Sequence, residues 1–237
     1  MRGVEVHRIR LGFVNAYVVR GDDGCILVDT GMPGKQNELA GYLKHLGIHP
    51  ESFNLIVLTH AHMDHVGGAS SMKRLLNCPV AVGEDEMRSL EKGTTSVPVG
   101  ATPLGRAAAF ALRVVSGERK LETAEPDLAI SDEMRLDDFG FKGRMISTPG
   151  HTKGSISLLL DSGEAFVGDL VANYLPFGIG PAMPPPFAED LRAVYRSWET
   201  ILSAGVTTVM PGHGYPFGID GLKKAYVKRV PLVPTPA

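Results

Sequence analysis

The chain has 237 residues, 43% of them hydrophobic and 21% charged, with a mean hydropathy of +0.03, the composition of a globular domain rather than a disordered chain. Its 24 basic and 26 acidic side chains leave a formal charge of −2, which gives no electrostatic case for a nucleic-acid surface, although it leaves room for local basic patches. No apolar run approaches the roughly 18–20 residues needed to cross a bilayer, and the charged N-terminus lacks the apolar stretch of a signal peptide.

In chain order, residues 13–20 and 25–29 read as strands around the turn Gly21-Asp22-Asp23-Gly24. Residues 35–47 switch to helical spacing, with Leu39, Leu43 and Leu46 on one face and Gly47 as a stop. A buried strand at 55–58 runs into Thr59 and His60, a helix is expected over 66–76 and a short strand over 79–82. The segment 93–127 is rich in small residues, with a helix expected from about 104 to 115. Strands resume near 128 and at 141–147, 155–160 and 164–167, then a helix at about 188–202 precedes a strand at 207–210. Many strands with interspersed helices indicate an α/β or α+β layered fold. The expected domain is 1–230, followed by a Pro-rich tail at 231–237. Cys25 and Cys78 stand at no metal-ligand spacing and read as buried, reduced residues of a cytoplasmic chain. The segments 93–127 and 173–187 are long and Gly/Pro-rich, as loops lining a site often are. The alternatives are a surface insertion or a homodimer interface.

The chemistry concentrates in His60-Ala61-His62-Met63-Asp64-His65. The run begins where an apolar strand ends, so His60 and His62 can point to one side of an extended segment. Asp64 and His65 then open the next helix, where Gly67-Gly68 permits close backbone approach. Imidazole nitrogen and carboxylate oxygen are ligands for Zn²⁺ and similar cations, and a catalytic site takes about three per metal with a position left for water. The run supplies too many groups for one open metal and too few for two. Candidates for the remainder are His151 in a turn between strands, Asp169 at a strand end and His213 after another strand, each beside glycine. Taken singly, each could equally be a capping or solvated residue, and Asp29 could be a plain turn residue. His7, His45 and His49 read as structural; the roles of Lys153 and Tyr174 stay open.

In order along residues 28–213, the motifs are Val28-Asp29-Thr30-Gly31, Thr59-His60-x-His62-x-Asp64-His65, Pro149-Gly150-His151-Thr152, Gly168-Asp169 and Pro211-Gly212-His213. This series resembles the metallo-β-lactamase-fold superfamily. The resemblance implies a four-layer αββα sandwich with metals at one edge of two sheets. One metal would be held by His60, His62 and His151, a second by Asp64, His65 and His213, with Asp169 bridging and Asp29 orienting the site. The ions would be divalent, with zinc expected first and iron or manganese as alternatives. Within the family, Asp169 points away from true β-lactamases. The short stretch after His213 lacks the glutathione-binding domain of glyoxalase II, and nothing resembles the arm of tRNA-processing nucleases. Flavodiiron proteins replace the second histidine of the run, which is intact here as His62. Lactonases place a tyrosine shortly after the bridging aspartate, where Tyr174 stands.

The activity so implied is hydrolysis by a bridging hydroxide of an ester, thioester or lactone, a small-molecule substrate, with Asp64 relaying the proton and Tyr174 supporting the oxyanion. The alternatives are a phosphodiesterase of the same fold, a mononuclear iron oxygenase similar to persulfide dioxygenases, and a degenerate binding scaffold. Val97, Leu104, Phe110, Leu175, Phe177, Ile179, Met183 and Phe187 hint at an apolar pocket, and could equally be core or dimer interface.

Overall fold

The computed structural model describes residues 3–95, 99–100, 121–175 and 178–229, with 174, 175, 178 and 179 as backbone only. The first half of the chain builds one six-stranded sheet: β1 (Glu5–Leu11), β2 (Val14–Arg20), β3 (Cys25–Val28), β4 (Phe53–Val57), β5 (Val80–Gly83) and β6 (Leu128–Ile130), adjacent in that order. β1, β2 and β3 pair antiparallel. β3 to β6 are parallel and are therefore joined by crossovers, which carry α1 (Gln36–His45), α2 (Met63–Val66), α3 (Ala69–Leu76) and α4 (Met87–Lys92). The second sheet is built from β7 (Glu133–Arg135), β8 (Gly143–Ser147), β9 (Ile156–Leu160), β10 (Glu164–Gly168), β13 (Thr208–Pro211) and β14 (Phe217–Gly218). Between β10 and β13 lie the hairpin β11 (Ala172–Leu175) and β12 (Gly178–Met183), then α5 (Leu191–Ser203); α6 (Ile219–Arg229) closes the described chain.

Alternation of side chains about each strand makes the layers. In β3, Ile26 and Val28 face the second sheet, whereas Cys25 and Leu27 face the helices; in β9, Leu158 and Leu160 face the first sheet and Leu159 faces away. Both faces of each central strand are buried, so these strands read as unbroken apolar runs. Three clusters result: helices on the first sheet (Leu39, Leu43, Met72 against Val18, Leu27, Ile56), sheet on sheet (Tyr17, Val57, Met145, Phe166), and the second sheet on α5 and α6 (Val167, Val209 against Trp198, Ile201, Leu222). That is the expected αββα sandwich. Cys25 and Cys78 are both buried and unpaired, and among the described residues no helix is long and apolar enough to cross a membrane.

Several boundaries differ from the sequence reading. β1 carries Glu5, Arg8 and Arg10 and, among the described residues, pairs with β2 alone, so its pattern is that of a half-solvated edge. The helix expected over 66–76 is two, broken at Gly67-Gly68. There a Cβ at 67 would fall 2.1 Å from Pro33 N and one at 68 would fall 2.8 Å from the Thr30 carbonyl. Part of the 173–187 loop is the β11–β12 hairpin, and 219–229 is helical. The helix expected over 104–115 lies outside the described residues, as do Val97, Leu104, Phe110 and Phe177.

The strand directions position the site. β3 and β4 are parallel in the first sheet; β8, antiparallel to β9, runs with β10 and with β13, which is parallel to β10. Asp29, His60 to His65, His151, Asp169 and His213 each come after the carboxyl end of one of these five strands. In α/β sheets this is where functional groups converge.

Candidate metal centre

All seven candidate ligands meet at that edge. His60 Nε2, His62 Nδ1 and His151 Nε2 form a triangle with sides of 3.1, 2.8 and 3.2 Å. Beside it, His213 Nε2 lies 3.2 Å from Asp64 Oδ2, and His65 Nε2 lies 3.9 Å from the same oxygen. Asp169 stands between the two sets: its Oδ2 is 3.6 Å from His151 Nε2 and 3.3 Å from His213 Nε2, and its Oδ1 is 3.2 Å from His65 Nε2.

Hydrogen bonds on the outer side of the rings fix which nitrogen carries the proton. Carbonyl oxygens only accept, so the His151 Nδ1–H donates to Phe187 O at 2.8 Å and the His213 Nδ1–H to Phe13 O at 2.9 Å. The His65 Nδ1–H donates to Asp29 Oδ2 at 2.8 Å. Thr59 gives its hydroxyl proton to Asp29, at 2.9 Å, so its oxygen accepts from His60 Nδ1–H at 3.1 Å. In the neutral form each of these four rings therefore turns a lone pair toward the centre, as a metal-ligating imidazole requires.

Asp29 organises much of this. It is buried at φ 58°, a left-handed conformation that aspartate tolerates better than most residues. Its carboxylate also accepts the Thr59 backbone N–H at 2.8 Å. The next residue, Thr30, donates both its N–H and its hydroxyl to His65 O. The His213 turn is clasped from both sides. Asn15 reaches Pro211 O and Gly214 O, Tyr17 OH donates to Pro211 O at 2.7 Å, and Asn173 pairs with both backbone groups of Tyr215. The ring of Phe13, 57% exposed, stacks on His213. The His151 turn is held by α5: Ser197 Oγ donates to Pro149 O, and a Cβ at Gly150 would fall 2.3 Å from Val194 N.

Electrostatically the two sets differ. Burial, then the charges of neighbouring imidazoles, pushes His60 far below the usual histidine range; burial and His151 bring His62 down to about 3. Burial likewise lowers His151. Burial opposes the charged form of His65 as well, but Asp169, Asp29 and Asp64 outweigh it and raise His65 to about 10. His213, buried beside Asp169 and Asp64, is also pushed well up. Burial would raise Asp64 and Asp169, yet His65 and His213 bring Asp64 to about 2 and Asp169 far below the carboxylate range. Without a metal, the carboxylate-rich side holds protons where a cation would neutralise it.

The donor set fits divalent metal ions. Three imidazole nitrogens at mutual contact cannot all be satisfied by hydrogen bonds to one another, and a shared cation satisfies them together. His65 Nε2 and Asp169 Oδ1 are buried with no hydrogen-bond partner, being misaligned for bonding to each other. Ligand atoms of His60, His62 and His151, of His60, His65 and Asp169, and of Asp64, His65 and His213 each lie within 4.8 Å of one another. A Cβ at Gly212 would sit 2.6 Å from both Asp169 Oδ1 and His65 Cε1, so only glycine leaves the cradle open.

Of the remaining sequence candidates, Tyr174 falls on β11, where its Cα pairs with Ile179; its side chain lies outside the described residues. His45 ends α1 and Lys153 reaches outward to Asp85, both apart from the cluster. The sequence reading gave no role to Thr59, Asn15, Tyr17 or Asn173. Thr59 was detectable as a hydroxyl beside a candidate ligand, and Asn15 as an amide inside an apolar strand.

The profile described as the Metallo-beta-lactamase superfamily matches residues 9–213. A probable metallo-hydrolase of Methanocaldococcus jannaschii is 29% identical over 206 residues, covering 84% of this chain and 87% of its own length. A Drosophila melanogaster protein named beta-lactamase-like protein 2 homolog is 29% identical over 204 residues, covering 84% of this chain and 58% of its own. Among solved structures, the crystal structure of the BLEG-1 B3 metallo-beta-lactamase aligns with a TM-score of 0.67 at 25% identity, covering 93% of this chain and 97% of that one.

Proposed function

The chain belongs to the metallo-beta-lactamase superfamily and is a metal-dependent hydrolase, and we propose that it works with two divalent cations, zinc first among them, on an ester, thioester or lactone. Asp169 carries this reading: one carboxylate, 14% exposed, reaches both donor sets, with oxygens 3.2 to 3.6 Å from His65, His151 and His213. In this reading His60, His62 and His151 hold one ion, Asp64, His65 and His213 hold the other, and Asp169 is shared. Such a pair supplies a hydroxide nucleophile at neutral pH and polarises the substrate oxygen.

The side chains then divide the remaining work. Asp29 and Thr59 hold His65 and His60 in the tautomer that presents a lone pair. Asp64 has a side chain 23% exposed, which makes it the carboxylate open to the mouth of the site. Held at about 2 by His65 and His213 against burial, it is ionised at neutral pH and able to receive a proton and pass it to the leaving group. Tyr174 is assigned to the oxyanion by its place in the sequence alone, five residues after Asp169. A formal charge of −2 gives the chain no net attraction for a polyanion, which favours uncharged acyl substrates over phosphodiesters.

The test is metal analysis of the purified chain coupled to a panel of thioester, lactone, phosphodiester and β-lactam substrates. Two metals per chain with turnover of a thioester or lactone is the expected result. Turnover of only the phosphodiester or β-lactam, or a single iron with oxygen consumption, would overturn the proposal.

A further inference from the structure

His151 is the one member of the three-histidine triangle delivered by the second sheet, so its place beside His60 and His62 depends on what holds its turn. Residues 187–190 lie along that turn and grip it at successive points. The Asp190 N–H donates to Gly150 O at 3.0 Å and the Glu189 N–H to His151 O at 3.1 Å. The carboxylate of Glu189 then reaches past His151, where its Oε2 accepts the Lys153 N–H at 2.8 Å. A charged acceptor makes this bond stronger than a neutral pair would. Two residues before Glu189, Phe187 O accepts the His151 ring proton at 2.8 Å. Main chain and ring of His151 are therefore both bonded to one short segment.

The segment is itself fixed at both ends. Downstream, Asp190 caps α5 by accepting the N–H groups of Arg192 and Ala193, and α5 is packed on the second sheet through Val194, Trp198 and Ile201. Upstream, the Ala188 N–H donates to Val99 O at 2.8 Å and Phe187 bridges to Gly100. The grip thus transmits the position of a packed helix to an imidazole. Of these bonds to the turn, the one to Lys153 alone runs through a side chain of the segment. Glu189 is exposed, so that side chain can be removed without opening the core.

We propose that Glu189 is a positioning residue for His151, setting the angle at which its ring meets His60 and His62. This rests on reading the three-histidine set as a metal site. Glu189 acts on the ring only through the main chain of the turn, at the His151 carbonyl and the Lys153 amide.

The test uses the full chain, stripped of metal and titrated with Zn²⁺ against a chromophoric chelator, with Co²⁺ absorption as a report on ligand geometry. In Glu189→Ala one binding step weakens by about 10-fold, the low end of the cost of losing a group that orients a ligand. The other step holds, and the Co²⁺ bands of the weakened step shift. Glu189→Gln keeps both steps, because its amide oxygen still accepts the Lys153 N–H. Lys153→Ala also keeps both, because the backbone N–H remains although the ammonium that meets Asp85 is gone. A folded Glu189→Ala chain with both steps and the Co²⁺ bands unchanged would overturn the proposal, whatever its melting temperature. So would equal weakening of both steps, which marks general loosening, or the same loss in Glu189→Gln or Lys153→Ala, which marks an effect of charge. If the unsubstituted chain binds no metal, the metal reading falls and takes this inference with it; if it binds two ions and Glu189→Ala alters neither step, this inference alone fails.

Discussion

Replacing Asp29 by asparagine alters one atom and removes one charge, and the surrounding hydrogen bonds determine how the site responds. The carboxylate receives protons on both oxygens: Oδ1 from the Thr59 N–H at 2.8 Å, Oδ2 from the His65 Nδ1–H at 2.8 Å. An amide must place its NH₂ group against one of them. Against Thr59 it would oppose a backbone N–H that cannot reverse. It therefore turns toward His65, whose ring can reverse, and the His65 proton moves to Nε2, the nitrogen facing the centre. The lone pair is lost to the metal, although the φ of 58° suits asparagine as well as aspartate. Lost hydrogen bonds to charged groups cost about 1.5–3 kcal/mol, equivalent to roughly 10–150-fold in affinity. Groups that orient metal ligands typically cost 10–100-fold, which agrees. In competition titrations of Asp29→Asn, the step served by His65 should weaken in that range. The step served by His60, His62 and His151 should hold, because the remaining carbonyl oxygen still accepts the Thr59 hydroxyl. Two unaltered binding steps would refute the tautomer argument.

Asp64→Asn should abolish turnover while leaving the fold intact by circular dichroism; retained turnover would remove Asp64 from proton transfer. Gly212→Ala places a methyl 2.6 Å from Asp169 Oδ1 and His65 Cε1, and a displacement of about 1 Å at a reacting centre can cost about 100-fold, so kcat should fall by that order with the melting temperature little changed. In the metal-free chain, stability should peak near neutral pH. Protons on His65, at about 10 when folded against 6.5, stabilise fully below about pH 6.5 and that contribution fades as pH rises toward 10. His62, at about 3 when folded, refuses a proton that the unfolded chain takes, so stability also falls as pH drops from 6.5 toward 3. Thermal melts across pH 4–10 after chelation check this, and a flat profile would contradict it. Trp198 is fully buried between the second sheet and α5, with its Nε1–H on Leu170 O; Trp198→Ala should cost about 3–5 kcal/mol in denaturant unfolding.

How much of this could be read from the sequence depended on the range of the interaction involved. The run His60 to His65 is local, and a strand followed by a helix start suffices to group its side chains. His151, Asp169 and His213 were each ambiguous alone, because what unites them is the shared direction of β8, β10 and β13, a property of sheet pairing. The layered fold was legible because central strands buried on both faces leave long apolar runs. β1 escaped because its exposed side breaks that run with charge. The clasp on the His213 turn was illegible: Asn15 and Tyr17 meet Pro211 across nearly 200 positions, and nothing local marks them.

Each donor set takes two groups from the first sheet's loops and one from the second's, so neither half of the chain holds a complete set. The centre thus behaves as a coincidence detector for folding. A chain whose sheets form but dock out of register offers scattered histidines with no shared focus for a metal. Hydrolytic competence is in that way withheld until both halves have closed on each other. A partly folded chain is chemically silent rather than indiscriminately active.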